Sequence, residues 1–283
     1  MKSPPLTDEE ARELDGWKPT RVLTTRDQLT AIQFRLAVSG VESTVIIGAP
    51  GTGKTTAVRA AVDTHAEQER AMLERGETTG AQIRTWWVNA SDATGRKTGL
   101  IDVYSQVIGR AGTRMRQAFT PAELIGLLAQ ESQQRNIRAL IIDEAQKISP
   151  TNLDQIRQIL DAAAAEHHPF GIILIGAPAL RDLVAQTGQL GQRYSGLLEF
   201  MPLGKHELIV LLPPLHPHLP RLRAKVGEPA WQAVASEIAA AASGSLRRLQ
   251  TIIVNAHEMA RSTRTLMTEH HLQLAVDKLA PES

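Results

Sequence analysis

The segment Gly48-Ala-Pro50-Gly51-Thr52-Gly53-Lys54-Thr55-Thr56 puts three glycines, one lysine and three threonines into nine consecutive positions. Its spacing is G-x-x-x-x-G-K-[ST], and it follows an apolar run and opens a helical pattern, which is the context that the motif requires. Glycine lets backbone N–H groups turn inward around phosphate oxygens, and the positive end of the following helix adds to that field. Lys54 supplies a point charge for the β- and γ-phosphates, and the Thr55 hydroxyl suits Mg²⁺. A phosphate-gripping loop of this kind needs an acid at the end of a neighbouring strand. Arg138-Ala-Leu-Ile-Ile-Asp143-Glu144-Ala-Gln146 provides one. Asp143 is the candidate for the Mg²⁺ shell. Glu144 is the candidate that orients and polarises an attacking water.

These residues need a sheet to hold them. Five short strands are expected, at Thr44–Ile47, Arg84–Val88, Ala139–Ile142, Gly171–Ile175 and Leu197–Met201. Helical stretches alternate with them, at Lys54–Arg75, Leu100–Arg110, Pro121–Gln134 and Asn152–Ala165, and a further helix precedes them at Thr25–Val38. Alternation of this kind argues for an α/β fold with a parallel sheet covered on both faces. The runs VIIG, LIID and IILIG are apolar throughout, as doubly covered strands should be. After Pro202 the strand signals stop, and helices are expected at Lys205–Leu212, Glu228–Ala242, Ser245–Ser262 and Thr268–Leu279, with Thr268 an N-cap. LLPPLHPHLP carries four prolines and cannot be one continuous helix. The expected organisation is an N-terminal arm over 1–24, a nucleotide-binding α/β domain over 25–203 and an all-helical lid over 204–283.

Bulk properties set further bounds. A chain of 283 residues with 42% hydrophobic and 22% charged residues can bury a full core. No apolar run approaches the ~20 residues that cross a bilayer, and the polar, acidic start is unlike a signal peptide, so a cytoplasmic protein with no membrane partner is expected. Absence of cysteine excludes disulfides and thiolate metal sites. A formal charge of +1 does not mark the chain as a nucleic-acid binder, so any DNA contact must come from a local basic patch. His216, His218, His270 and His271 read as surface or helix-edge residues rather than ligands. Trp86 and Trp87 lie on one strand, point to opposite faces and are expected to pack in the core.

The motifs GAPGTGKT and LIIDEAQ together resemble the AAA+ P-loop ATPases, in the branch that includes origin-recognition ATPases, ExeA-type proteins and transposition regulators. Size and layout are most similar to regulators of the TnsC, TniB and phage Mu B type. The resemblance implies a five-stranded parallel sheet with a C-terminal helical lid, ATP and Mg²⁺ as ligands, and hydrolysis to ADP and phosphate. It implies that Gly48, Pro50, Gly51, Thr52, Gly53, Lys54, Thr55, Thr56 and Asp143 hold the nucleotide, with Thr55 and Asp143 toward the metal. It also implies that Arg247, in Gly244-Ser-Leu-Arg247-Arg248-Leu, touches ATP from the lid. Arg193, in Gly191-Gln-Arg-Tyr194, occupies the usual arginine-finger region and would serve a neighbouring subunit's site beside Glu144 and Lys54. The fourth strand departs from the family pattern. It ends Ile175-Gly176-Ala177-Pro178, with no polar residue to sense the γ-phosphate, so that a backbone group or water takes that place or turnover is slow.

In the regulators, ATP-bound subunits form rings or helical filaments around duplex DNA through loops after the second strand. The corresponding basic residues are Arg96 and Lys97, then Arg114 and Arg116. The resemblance thus implies double-stranded DNA, a homo-oligomer, a transposase and a target-selection protein as partners. The expected function is an ATP-dependent DNA-binding regulator of transposition. Two alternatives remain: an origin-binding or helicase-loading ATPase, in which a winged-helix domain commonly follows the lid, and a signalling NTPase switch that binds protein rather than DNA.

Overall fold

The computed structural model describes residues 6–19, 24–40, 43–77, 83–91, 97–109, 119–187 and 194–279. Contacts divide the chain into two compact units, one of residues 24–49 and 54–200, the other of 1–23, 50–53 and 201–283.

The first unit is a parallel α/β sheet. Its strands are β1 (Ser43–Gly48), β2 (Arg84–Asn89), β3 (Ile137–Asp143), β4 (Gly171–Gly176) and β5 (Tyr194–Phe200), in the order β2-β3-β4-β1-β5. Period-two alternation divides the core. Val45, Ile47, Leu140, Ile142, Ile172 and Leu174 enter one cluster with Leu100, Val103, Leu128, Leu153, Ile156 and Leu180. Those partners come from α4 (Leu100–Ile108), α5 (Pro121–Gln134), α6 (Pro150–Ala165) and α7 (Leu180–Gln186). The alternate residues Ile46, Ala139, Ile141, Ile173 and Ile175 enter another cluster with Phe34, Val38, Ala57, Val58 and Ala61, which come from α2 (Thr25–Val38) and α3 (Lys54–Glu74). The runs Val45–Ile47, Ala139–Ile142 and Ile172–Ile175 of the three central strands are apolar without interruption because each face of these strands meets a different helical layer. Trp86 is buried against the first cluster and Trp87 packs against the second, as strand geometry requires of neighbours. Caps set where helices begin. The Thr120 hydroxyl accepts from the Glu123 N–H while the Glu123 carboxylate accepts from the Thr120 N–H, and Ser149 accepts from the Asn152 N–H to open α6.

The second unit is helical. Its elements are α1 (Asp8–Gly16), α8 (Lys205–Leu211), α9 (His218–Val226), α10 (Glu228–Ala242), α11 (Leu246–Thr263) and α12 (Glu269–Asp277). The N-terminal residues thus do more than lead into α2. Leu14 is buried in the same core as Leu208, Leu219, Trp231, Ile238, Leu249, Ile253 and Leu272, and Glu13 pairs with Arg221 at 2.9 Å. The proline-rich segment breaks as its composition requires, into the end of α8, a short 3₁₀ turn at Pro213–Leu215 and then α9. Pro220 is accommodated because it lies in the first turn of α9, where its missing N–H has no helical partner to lose. Thr268 caps α12, accepting from the His271 N–H at 3.4 Å.

His270 is exposed, as sequence suggests, but His216, His218 and His271 differ from that surface placement. His216 and His218 are each 1% exposed, and His257 and His271 are also buried. The backbone N–H of His218 donates to Nδ1 of His216, which leaves the proton on Nε2, and that nitrogen faces Nδ1 of His257 at 3.0 Å. Trp17 lies over both rings, with centroids 4.7 Å from His216 and 4.4 Å from His257. Burial, with help from neighbouring His218 and His257, pushes His216 down to about 3. The His216 ring can enter this core because it stays neutral and shares a hydrogen bond with the His257 ring. Among the described residues, no helix is long and apolar enough to cross a membrane, and no group of three or more His, Cys, Asp or Glu could hold a metal.

Candidate phosphate and metal site

The chemistry-bearing residues of the α/β unit converge where β1 and β3 end. Register places β4 between these strands, with Ile47 beside Gly176 and Ile142 beside Leu174. The loop after β1 reaches α3 at Lys54, whose Nζ donates to the carbonyls of Gly48 at 2.7 Å and Ala49 at 2.9 Å. That ammonium is therefore held at the loop, where an anion would be gripped. Gly48 has no room for a side chain, because a Cβ there would strike the backbone and side chain of Phe200 on β5. Gly51 and Gly53 have φ of +80° and +94°, a region that other residues occupy only with strain.

Thr55 lies in the first turn of α3, and its hydroxyl donates to the Asp143 carboxylate at 3.0 Å. A hydroxyl and a carboxylate in contact are hard oxygen donors. Mg²⁺ commonly takes one or two carboxylates, with waters and substrate phosphates completing its shell, so this pair fits that metal. Residue 144 has φ of +56° and ψ of +34°, left-handed backbone that is uncommon for glutamate. Its own N–H donates to Asp143 Oδ1 at 3.0 Å, which ties the turn to the metal-competent carboxylate. The Glu144 side chain is about half exposed (48%), with Lys147 Nζ at 3.6 Å. Strained backbone of this kind persists where surrounding contacts over-determine it, and it clusters at functional positions.

Gln146 closes the LIIDEAQ motif, where sequence assigns it no role. It lies in the 3₁₀ turn Ala145–Lys147, where its Nε2 donates to Glu144 Oε2 at 2.9 Å and its Oε1 accepts from the Ala177 N–H at 3.0 Å. The signal that could have found it was the missing polar residue at the end of β4, which leaves a backbone N–H there in need of a partner.

Lys54, Thr55, Asp143, Glu144 and Gly48 are thus brought together within the α/β unit, while Thr56 is exposed on α3. Pro50 is exposed and Thr52 buried, both in the short segment that clusters with the helical unit. Within that unit the Gly51 carbonyl accepts from the Arg247 N–H at 3.3 Å and the Ser245 hydroxyl at 3.3 Å. Ser245 also caps α11, accepting from the Arg248 N–H at 3.3 Å, and the Arg247 side chain is exposed. Arg193, Arg96, Arg114 and Arg116 lie outside the described residues. Lys97 is exposed, and Thr98 beside it is pinned: its hydroxyl accepts from the Ser91 N–H at 2.9 Å and donates to the Ser91 carbonyl at 3.1 Å. Asn152 Nδ2 donates to the Thr98 carbonyl at 2.9 Å from α6. Thr98 is thereby tied both to Ser91, just after β2, and to α6.

A family model described as an AAA domain matches residues 38–184. No curated protein matches the chain in sequence. Among solved structures, the ORC2 protein of Aeropyrum pernix, as ADPNP–ADP complexes, is similar with a TM-score of 0.66 at 18% identity, over 96% of this chain and 72% of that one. The ORC1 protein of the same organism in complex with DNA gives 0.61 at 18% identity, over 95% and 69%. Domain III of the Thermotoga maritima replication initiation protein DnaA gives 0.56 at 13% identity, over 99% and 100%.

Proposed function

The chain belongs to the AAA-domain family of P-loop ATPases, and on that premise we propose an ATP-dependent, duplex-DNA-engaging ATPase of the initiator-like kind, acting as a homo-oligomer. ATP binding and hydrolysis follow from the family. The single observation that carries the site is the contact of Thr55 with Asp143 beside the loop-held Lys54. In this reading Lys54 takes the β- and γ-phosphates, and loop N–H groups between residues 48 and 55 cradle them. Thr55 and Asp143 would hold Mg²⁺, which supplies charge neutralisation on the phosphate oxygens when bound. Glu144 orients a water in line with the γ-phosphorus. The water oxygen forms the new bond, the bond from that phosphorus to the β–γ bridging oxygen breaks, and ADP leaves with that electron pair. Arg193 of a neighbouring subunit would stabilise the developing charge, and Arg247 would report the nucleotide to the helical unit.

DNA engagement is assigned to the loops after β2. Lys97, exposed next to the pinned Thr98, is supported by Arg96, Arg114 and Arg116 in sequence. Arginine and lysine side chains of this kind are suited to phosphate contact, which carries no base code. The similarity to an ORC1 protein in complex with DNA supports this reading and favours an origin-binding or helicase-loading role over the others. A second reading is a transposition regulator that serves a transposase and a target-selection protein. It rests on the pairing of LIIDEAQ with ILIGAP, whose ends meet through Gln146 and Ala177.

Fluorescence anisotropy of labelled duplexes, with a non-hydrolysable ATP analogue and a salt series, tests DNA engagement. Binding should be ATP-dependent and salt-sensitive, each phosphate contact contributing roughly −0.9 to the slope of log affinity against log salt. Replacing Arg96 and Lys97 by Ala should flatten that slope on every duplex and leave ATP affinity intact. No association at low salt, at concentrations that permit assembly, would sink the DNA assignment and leave the protein-binding switch. Preference for one sequence class supports the initiator role, and uniform affinity supports the transposition role.

A further inference from the structure

The end of β4 holds no polar side chain, yet it is not without a polar partner. Ala177 N–H can only donate, so the group facing it at 3.0 Å must be the carbonyl oxygen of the Gln146 amide. That choice orients the whole amide and points its NH₂ at Glu144 Oε2, 2.9 Å away. Gly176 completes the arrangement, since a Cβ there would collide with Gln146 Oε1. The amide therefore sits against the strand end at one side and the Glu144 carboxylate at the other. The carboxylate itself is about half exposed (48%), a setting in which a glutamate side chain is ordinarily free among several rotamers.

We propose that Gln146 is the positioning residue for the Glu144 carboxylate, fixed by the backbone N–H of Ala177, and that this relay takes the place of a polar side chain at the end of β4. Gln146 does not touch the reacting atoms. It acts through Glu144, and the inference rests on the reading of Glu144 as the group that orients water. Misplacing such a group by about 1 Å costs on the order of 10²-fold in rate, so loss of the tether should lower kcat by about 10- to 100-fold. ATP affinity should be unchanged, because among the described residues Gln146 bonds to Glu144 and Ala177 and to no phosphate-loop or metal-competent side chain.

The test is single-turnover ATP hydrolysis by the full chain in a double-mutant cycle. Gln146→Leu removes both hydrogen bonds. Gln146→Glu keeps the acceptor for Ala177 N–H and replaces the donor to Glu144 by a carboxylate oxygen that repels it, so it breaks the tether and preserves the strand-end contact should the leucine variant fold poorly. Both should lower kcat by the stated factor with KM for ATP within about twofold. In a Glu144→Gln background, neither should lower the rate by more than about threefold further, because the tether would have nothing left to position. Unchanged or raised kcat in folded Gln146→Glu protein would overturn the assignment, as would a full additional loss in the Glu144→Gln background. If Glu144→Gln alone hydrolysed ATP at the wild-type rate, the reading of Glu144 would fall instead, a result separate from either of those.

Discussion

Acid should loosen the helical unit through His216, whose neutral ring is buried between Trp17 and His257. Its folded value is about 3 against an ordinary 6.5. A depressed value means that between these limits the unfolded chain binds a proton that the folded chain refuses. Stability is therefore fully present above pH 6.5 and is lost as pH falls toward 3. At about 1.4 kcal/mol per pH unit, His216 alone removes about 2 kcal/mol between pH 7 and pH 5. His218 and His257 are also lowered, mainly by burial, and act in the same direction. The charges facing this cluster are mixed: Glu10 and Glu13 on α1 favour protonation of His218, Asp15 and Glu258 favour that of His257, and Arg221 and Arg261 oppose these. Urea denaturation followed by circular dichroism at pH 7 and pH 5 measures the loss. His216→Gln keeps an acceptor for the His218 N–H and a donor for His257, and it should cut the pH-dependent loss by about 2 kcal/mol. The ring proton of His216 should hold its NMR position down to pH 5. Titration of that proton near 6.5, or equal pH-dependent losses in wild type and variant, would refute the reasoning.

Lys54→Ala should abolish ATP binding in equilibrium titrations, because Nζ is the cation held at the loop carbonyls; near-normal affinity in folded protein would remove the phosphate-site assignment. Glu144→Gln should bind ATP normally and hydrolyse it ~10²–10⁴-fold more slowly, measured in single-turnover assays, with retained turnover passing the role to another residue. Arg193→Ala should lose ATPase activity and regain part of it on mixing with Lys54→Ala subunits, since the mixed interface joins an intact pocket to an intact arginine. Mixed assemblies that form without any recovery would count against action across subunits.

Much of this protein was legible in sequence because its signals are local. A phosphate loop needs its glycines, lysine and hydroxyl within a few residues, so Gly48 to Thr55 could be read in place. Strands covered on both faces are apolar without interruption, which exposed β1, β3 and β4 even though their pairing order is not sequential. Other features depend on what folding brings near. Asp8–Gly16 offers Leu14 as its one large apolar side chain, too little periodicity to show that the segment would join the core of helices about two hundred residues away. Histidines around prolines looked like surface residues because isolated imidazoles prefer water. The meeting of His216 with His257, 41 positions along the chain, gives one nitrogen of each ring a partner that the sequence does not reveal. The sequence by itself determined the composition of the phosphate site and the alternation that builds its sheet, because both are properties of neighbours along the chain. Tertiary structure alone decided that a glutamine after β3 meets the backbone end of β4, 31 positions away, because a hydrogen bond depends on distance and direction in space, which spacing along a chain does not encode.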